Sequence, residues 1–129
     1  MSAPFEPVRT DQAPAAIGPY SQAVKAGGFA FLSGQIPLDP ATGEMVAGDI
    51  DTQIARVFDN LAAVATAAGG SLHDCVKFTV FLTDLAHFAR VNAAMEARLA
   101  APYAARAAVQ VAALPRGAEV EVEAVMRIP

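Results

Sequence analysis

The apolar residues of this chain change their period along its length, and that change constrains the fold more than any other feature. Ile50, Ile54, Val57, Phe58, Leu61, Val64 and Ala65 recur at three- and four-residue steps. Such steps fall on one face only in an α-helix. Shortly after, "DCVKFTVFLT" alternates, with Val76, Phe78, Val80 and Leu82 set against Cys75, Lys77, Thr79 and Phe81. That is the period of a strand, and its second set is partly apolar, which places the strand inside a sheet. A chain with both periods must bury helices against a sheet.

Turn chemistry assigns the rest. "SQAVKAGGFAFLSGQIP" reads as two strands around a Gly27-Gly28 hairpin turn. In the second strand Phe29, Phe31 and Ser33 share one face, and Ala30, Leu32 and Gly34 the other. "PLDPATGE" is a loop. Asp49 or Asp51 can cap the first helix, and Gly69-Gly70 ends it with Gly69 in the left-handed position. Asp84 is expected to cap a second helix whose apolar stripe is Leu85, Phe88, Met95 and Leu99. "APYAA" breaks that helix. Strands over Ala105–Ala112 and Glu119–Arg127, joined by "LPRG", close the chain. The order is strand–strand–helix–strand–helix–strand–strand, an α+β class with both helices on one face of the sheet. The 129 residues fit one domain, 1–129.

Charged residues are 17% of the chain and hydrophobic ones 54%, against a usual charged share of ~25%. So little charge for a monomer's surface fits either an oligomer or a simply Ala-rich composition, and the oligomer is the favoured reading. The net charge of −4, with no Lys/Arg cluster, argues against nucleic acid as a partner. No apolar run reaches a membrane-spanning length, and the N-terminus lacks the pattern of a signal peptide. Cys75 is the one cysteine, which excludes a disulfide within the chain and a Cys-based zinc site. His73 and His87 lack metal-ligand spacing, so no metal is expected. A reducing, cytoplasmic home follows as the default.

Few residues stand out as chemistry. In "EVEVEAVMR", Glu119, Glu121, Glu123 and Arg127 alternate with Val120, Val122, Ala124 and Met126. The plain reading is a solvated sheet face. The sharper one puts a glutamate in a cleft, where burial and like-charged neighbours raise its pKa and make it a usable acid/base. In "AARAAVQVAALP", Arg106 is the one charge among alanines. It can snorkel to water, or its planar fork can take a small carboxylate in bidentate fashion. The pattern leaves both open. Asn92 lies on or beside the stripe of the second helix, where its amide must satisfy a loop or line a site. Tyr20 and Ser33 are weak signals alone, and Cys75 reads as a small hydrophobe in a core strand.

Taken together, "APAAIGPYSQAV", "SGQIPLDPATGE", "DNLAAVATAAG", "VKFTVFLTDLAHFARVN" and "AARAAVQVAALPRGAEVEVEAV" resemble the Rid family (YjgF-type) of reactive-intermediate imine deaminases, also labelled endoribonuclease L-PSP. The resemblance runs from about Ala13 to Ala124. It implies a mixed six-stranded sheet backed by two helices, a chorismate mutase-like fold, and a homotrimer with clefts at the subunit interfaces. It also implies a cofactor-free hydrolysis of 2-iminoacids and their enamine tautomers, such as 2-iminobutanoate and 2-iminopropanoate, to 2-oxoacids and ammonia. Carried over by motif, Arg106 would hold the substrate carboxylate and Glu121 would activate water. Tyr20, Ser33, Gly34, Asn92 and Ala108 would bind substrate or support the pocket, Ala108 through its backbone. The chain departs from the family pattern in three places. Ala104 stands where many members have Pro, Ala108 where many have Cys, and Met95 and Leu99 where aromatics are common. Two rival readings remain: a trimer that binds small carboxylates without turnover, and a ribonuclease, against which the negative charge argues.

Overall fold

The computed structural model describes residues 4–129. Its first hairpin pairs β2 (Ala23–Ala26) with β3 (Phe29–Gln35), with Ala26 opposite Phe29. Gly27 and Gly28 both have positive φ, 60° and 83°. A two-residue turn needs this for its twist to match that of the strands.

A three-residue strand, β1 (Glu6–Val8), pairs antiparallel with β2. It is too short and too polar to announce itself by period. Helix α1 (Ile50–Ala67) follows, then β4 (Cys75–Leu82), α2 (Phe88–Arg98), β5 (Ala105–Gln110) and β6 (Val120–Arg127). The sheet order is β1-β2-β3-β6-β4-β5. Only β4 and β5 run parallel, joined through α2; the other neighbours are antiparallel. The sheet is therefore mixed and six-stranded, as expected.

Helix α1 is held at both ends. Asp49, not Asp51, is the cap: its Oδ1 accepts from the Thr52 N–H and from Thr52 Oγ1, each at 2.9 Å. Those bonds favour its ionised form and lower its pKa, the Thr52 backbone bond foremost. At the other end Gly69 has φ 99°. Its N–H donates to Thr66 O and that of Gly70 to Ala65 O, both at 3.0 Å, the double closure of a Schellman motif. Ile54, Val57, Phe58, Leu61, Val64 and Ala65 are completely buried. Phe58 meets Phe78 of β4 edge to face at 6.3 Å.

Three expectations are corrected. Val76 does not share the core face with Phe78, Val80 and Leu82. The β4–β6 register slips between Cys75 and Lys77, so Cys75 turns inward and Val76 is exposed. A one-residue bulge reverses every side chain before it. Asp84 caps a 3-10 turn, Leu85–His87, accepting from the Ala86 N–H at 2.9 Å; α2 begins only at Phe88. Leu85 is consequently exposed, and the buried residues of α2 are Val91 and Met95.

Both helices lie on one face of the sheet. The other face carries Phe29, Phe31 and Val109, exposed by 39%, 46% and 44%, and no element among the described residues covers it. None of the helices is long and apolar enough to cross a membrane.

Candidate functional site

The expected site residues fall into two groups. The first surrounds Glu121. Between Leu32 and Gln35 the β3–β6 register shifts: Leu32 faces Ala124 and Gln35 faces Val122. Three steps on β3 thus match two on β6, which makes a bulge at Ser33–Gly34. Gly34 then lies directly against the Glu121 side chain. A Cβ on Gly34 would stand 2.9 Å from Glu121 Cδ and 3.1 Å from its Cγ. Only glycine permits that approach.

Around this carboxyl opens a recess of about 770 Å³, lined by Tyr20, Ser33, Gly34, Arg116, Glu121 and Glu123 among others. Glu121 is half-buried, and burial raises its pKa; the neighbouring Glu123 charge adds to the rise. The Ser33 hydroxyl donates to Ser21 O at 2.6 Å, so toward a ligand it can only accept. Tyr20 is exposed, and its hydroxyl accepts from the Ile17 N–H at 3.4 Å.

The wall of this recess depends on two amides that the pattern of the sequence did not single out. Gln22 is buried; its Oε1 accepts from the Thr10 N–H at 2.7 Å, and its Nε2 donates to Pro14 O at 2.8 Å. It ties the segment before β2 to the sheet. Asn60 of α1 is fully buried and donates to Leu38 O at 2.9 Å, fixing the loop after β3. A lone amide inside an apolar stripe was the available signal for Asn60. Arg116 was also missed. It sits at φ 57° in "LPRG" and donates to Gly43 O at 2.8 Å.

The second group surrounds Arg106 on the edge strand β5. Its guanidinium donates through Nη1 to Asn92 Oδ1, with Met95 Sδ 3.7 Å from the same nitrogen. Its central carbon lies 4.9 Å from the Phe88 ring centroid. A smaller recess of about 290 Å³ adjoins it, lined by Asn92, Met95, Glu96, Tyr103, Ala104 and Arg106. Ala108 stands on the same strand face, half-buried and paired with Val80. The small side chains leave the guanidinium accessible, and Arg106 is exposed.

The two groups do not meet within one chain. Arg106 pairs with Phe78, whose side chain is buried under the helices. Glu121 pairs with Phe81, three residues on and therefore on the opposite face. β4 also separates β5 from β6. Arg106 and Glu121 follow each other on successive strands of the sequence but are not on neighbouring strands of the sheet. Cys75 belongs to neither group; burial pushes its thiol up to about 12, which makes it inert.

The sequence profile of the family described as endoribonuclease L-PSP matches residues 10–128, and the chain belongs to that family. It is 56% identical over 120 residues to Protein DfrA of Myxococcus xanthus, covering 92% of each. It is 46% identical over 121 residues to the 2-iminobutanoate/2-iminopropanoate deaminase of Salmonella typhimurium, covering 92% of this chain and 94% of that one. Among solved structures, RidA from the Antarctic bacterium Psychrobacter sp. PAMC 21119 superposes with a TM-score of 0.91 at 53% identity, over 95% of this chain and 99% of that one.

Proposed function

We propose that this protein is a hydrolytic deaminase of small 2-iminoacids, working as a homotrimer whose sites are each built from two copies. The observation that carries the reading is the Glu121 carboxyl. It is desolvated, its pKa is raised, and it is pressed against Gly34 in an open recess. Kinship with a 2-iminobutanoate/2-iminopropanoate deaminase supports the substrate class.

Arg106 takes the substrate carboxylate in bidentate fashion. Glu121 accepts a proton from a water that attacks the iminium carbon. It passes that proton to the amine nitrogen of the resulting carbinolamine, takes the hydroxyl proton as the carbonyl forms and the C–N bond breaks, and gives it to the departing ammonia. The products are a 2-oxoacid and ammonium, and no redox step or cofactor is required. Positioning plus one acid/base suffices for an imine, which is already electrophilic. Tyr20 and the Ser33 oxygen line the approach to the carbon, and the backbone at Gly34 and Ala108 borders the ligand.

Because the two groups leave opposite faces of one sheet, Arg106 of one copy must meet Glu121 of another. The uncovered apolar face with Phe29, Phe31 and Val109, and the sparse charge of the chain, both favour assembly. A closed cyclic arrangement gives every copy the same two roles.

The test couples the protein to a threonine dehydratase and threonine and follows 2-oxobutanoate release. Faster release, with less imine trapped by semicarbazide, is expected; unchanged rates would sink the reading. Shared sites have their own test. Arg106→Ala and Glu121→Gln are each inactive alone. Refolded together in equal amounts, they should recover about a quarter of wild-type activity, the chance that a cyclic neighbour pair supplies one intact Arg and one intact Glu. No recovery from soluble mixed trimers would show that each site belongs to one chain.

A further inference from the structure

The row of α2 read as a core stripe has a second use. Phe88, Asn92 and Met95 stand at i, i+4 and i+7, one row of the helix surface. In the fold this row faces not only the core but the edge strand β5, and all three side chains touch one group, the Arg106 guanidinium. We propose that Phe88 and Met95 are positioning residues that, with Asn92, hold this guanidinium so that a single edge of it, Nε with Nη2, is left for a carboxylate. The inference rests on Arg106 being the carboxylate anchor.

The donor count carries the argument. A guanidinium has five N–H donors, two of them on Nη1. Asn92 Oδ1 accepts from Nη1, and Met95 Sδ, 3.7 Å away, is a second acceptor at the same nitrogen. The end-on fork that would use Nη1 and Nη2 is therefore spent. No group among the described residues hydrogen-bonds Nε or Nη2, and these form the remaining bidentate edge. The Phe88 ring backs the cation. With the guanidinium carbon 4.9 Å from its centroid, the ring attracts the cation from its face and leaves the edge unobstructed.

An unsupported arginine on an exposed edge strand would sample many rotamers, and each ligand would have to order it. Here the helix has already done so. Phe88 is only half-buried and stands outside the core cluster, so filling the core does not account for its placement. The thioether matters in the same way: a soft, unbranched acceptor reaches Nη1 without competing with the substrate carboxylate for the guanidinium, as an acidic side chain would.

The experiment measures the dissociation constant of 2-oxobutanoate by NMR titration into the millimolar range, which needs no turnover. Phe88→Leu and Met95→Leu are each expected to weaken binding about two- to fivefold, and Phe88→Tyr to restore most of the loss. In an Arg106→Ala background neither substitution should weaken binding further, since both act through the guanidinium. If wild type binds 2-oxobutanoate with this pattern yet hydrolyses no imine, the deaminase reading falls and the positioning role stands. Unchanged affinity in both variants, additive losses in the Arg106→Ala background, or no binding by wild type would overturn it.

Discussion

Glu121 and Arg106 sit at opposite ends of one structural scale. Glu121 is on an interior strand, flanked by β3 and β4, and its neighbour at the carboxyl is the main chain of a bulge at Gly34. Arg106 is on the edge strand, and its guanidinium is held by three side chains of α2, Phe88, Asn92 and Met95. The main chain at Gly34 confines the half-buried carboxyl, and partial burial makes its charge costly. Side-chain supports can yield, so the guanidinium is ordered but adjustable. An acid/base needs a perturbed pKa, whereas an anchor needs orientation without loss of charge. Each group has the surroundings its proposed role calls for.

The largest expected effect comes from removing the carboxylate and keeping its shape. Glu121→Gln should lower kcat by about 10² to 10⁴ while 2-oxobutanoate binding persists. Binding by both proteins with turnover by neither would instead favour a carboxylate-binding trimer without catalysis.

Gly34→Ala probes the rigid wall itself. The added Cβ forces the flexible end of Glu121 to move, so the fold survives and the carboxyl is displaced. A loss of roughly 100-fold in kcat, typical of a misplacement near 1 Å, is expected by stopped-flow imine hydrolysis. Activity close to wild type would mean that the close approach at Gly34 has no catalytic purpose.

The smallest effect is on stability. Burial raises the Glu121 pKa, and the Glu123 charge adds to it. The folded chain thus holds this proton more tightly than the unfolded one. Its contribution is fully present below the ordinary carboxyl range and is lost as pH rises through the raised value. Glu121→Gln should therefore melt above wild type at neutral pH, with the gap closing as the pH falls toward 4. Scanning calorimetry across that range checks it; a constant gap would show that Glu121 pays no desolvation penalty in the assembled protein.

Both groups were partly legible in the sequence, for different reasons. Arg106 was conspicuous as a lone charge among alanines, but strand period could not separate an anchor from a snorkelling surface residue. The motif resemblance made that choice. Glu121 was hidden among three alternating glutamates and emerged only by its place in the motif. Phe88 and Met95 were visible as helix spacing but read as core, because a periodic stripe does not say which partner it meets. Gln22 and Asn60 hold loops by hydrogen bonds to distant main chain; a lone amide in the α1 stripe hints at Asn60, but no local pattern names either partner.

Local spacing was enough to determine the first helix, the existence of the second, the Gly27-Gly28 turn, the Gly69 stop and the division of β3 and β6 into two faces, because each follows from contacts within a few residues. Tertiary structure alone decided that β6 inserts between β3 and β4, that bulges fall at Ser33–Gly34 and before Lys77, and that Arg106 and Glu121 leave opposite faces. Those are outcomes of pairing between segments far apart in the chain, where register is set by how whole faces fit rather than by any residue's own preference. With β4 between β5 and β6 and the two side chains on opposite faces, one chain does not bring Arg106 and Glu121 together, and for that reason their proposed chemistry requires a second copy.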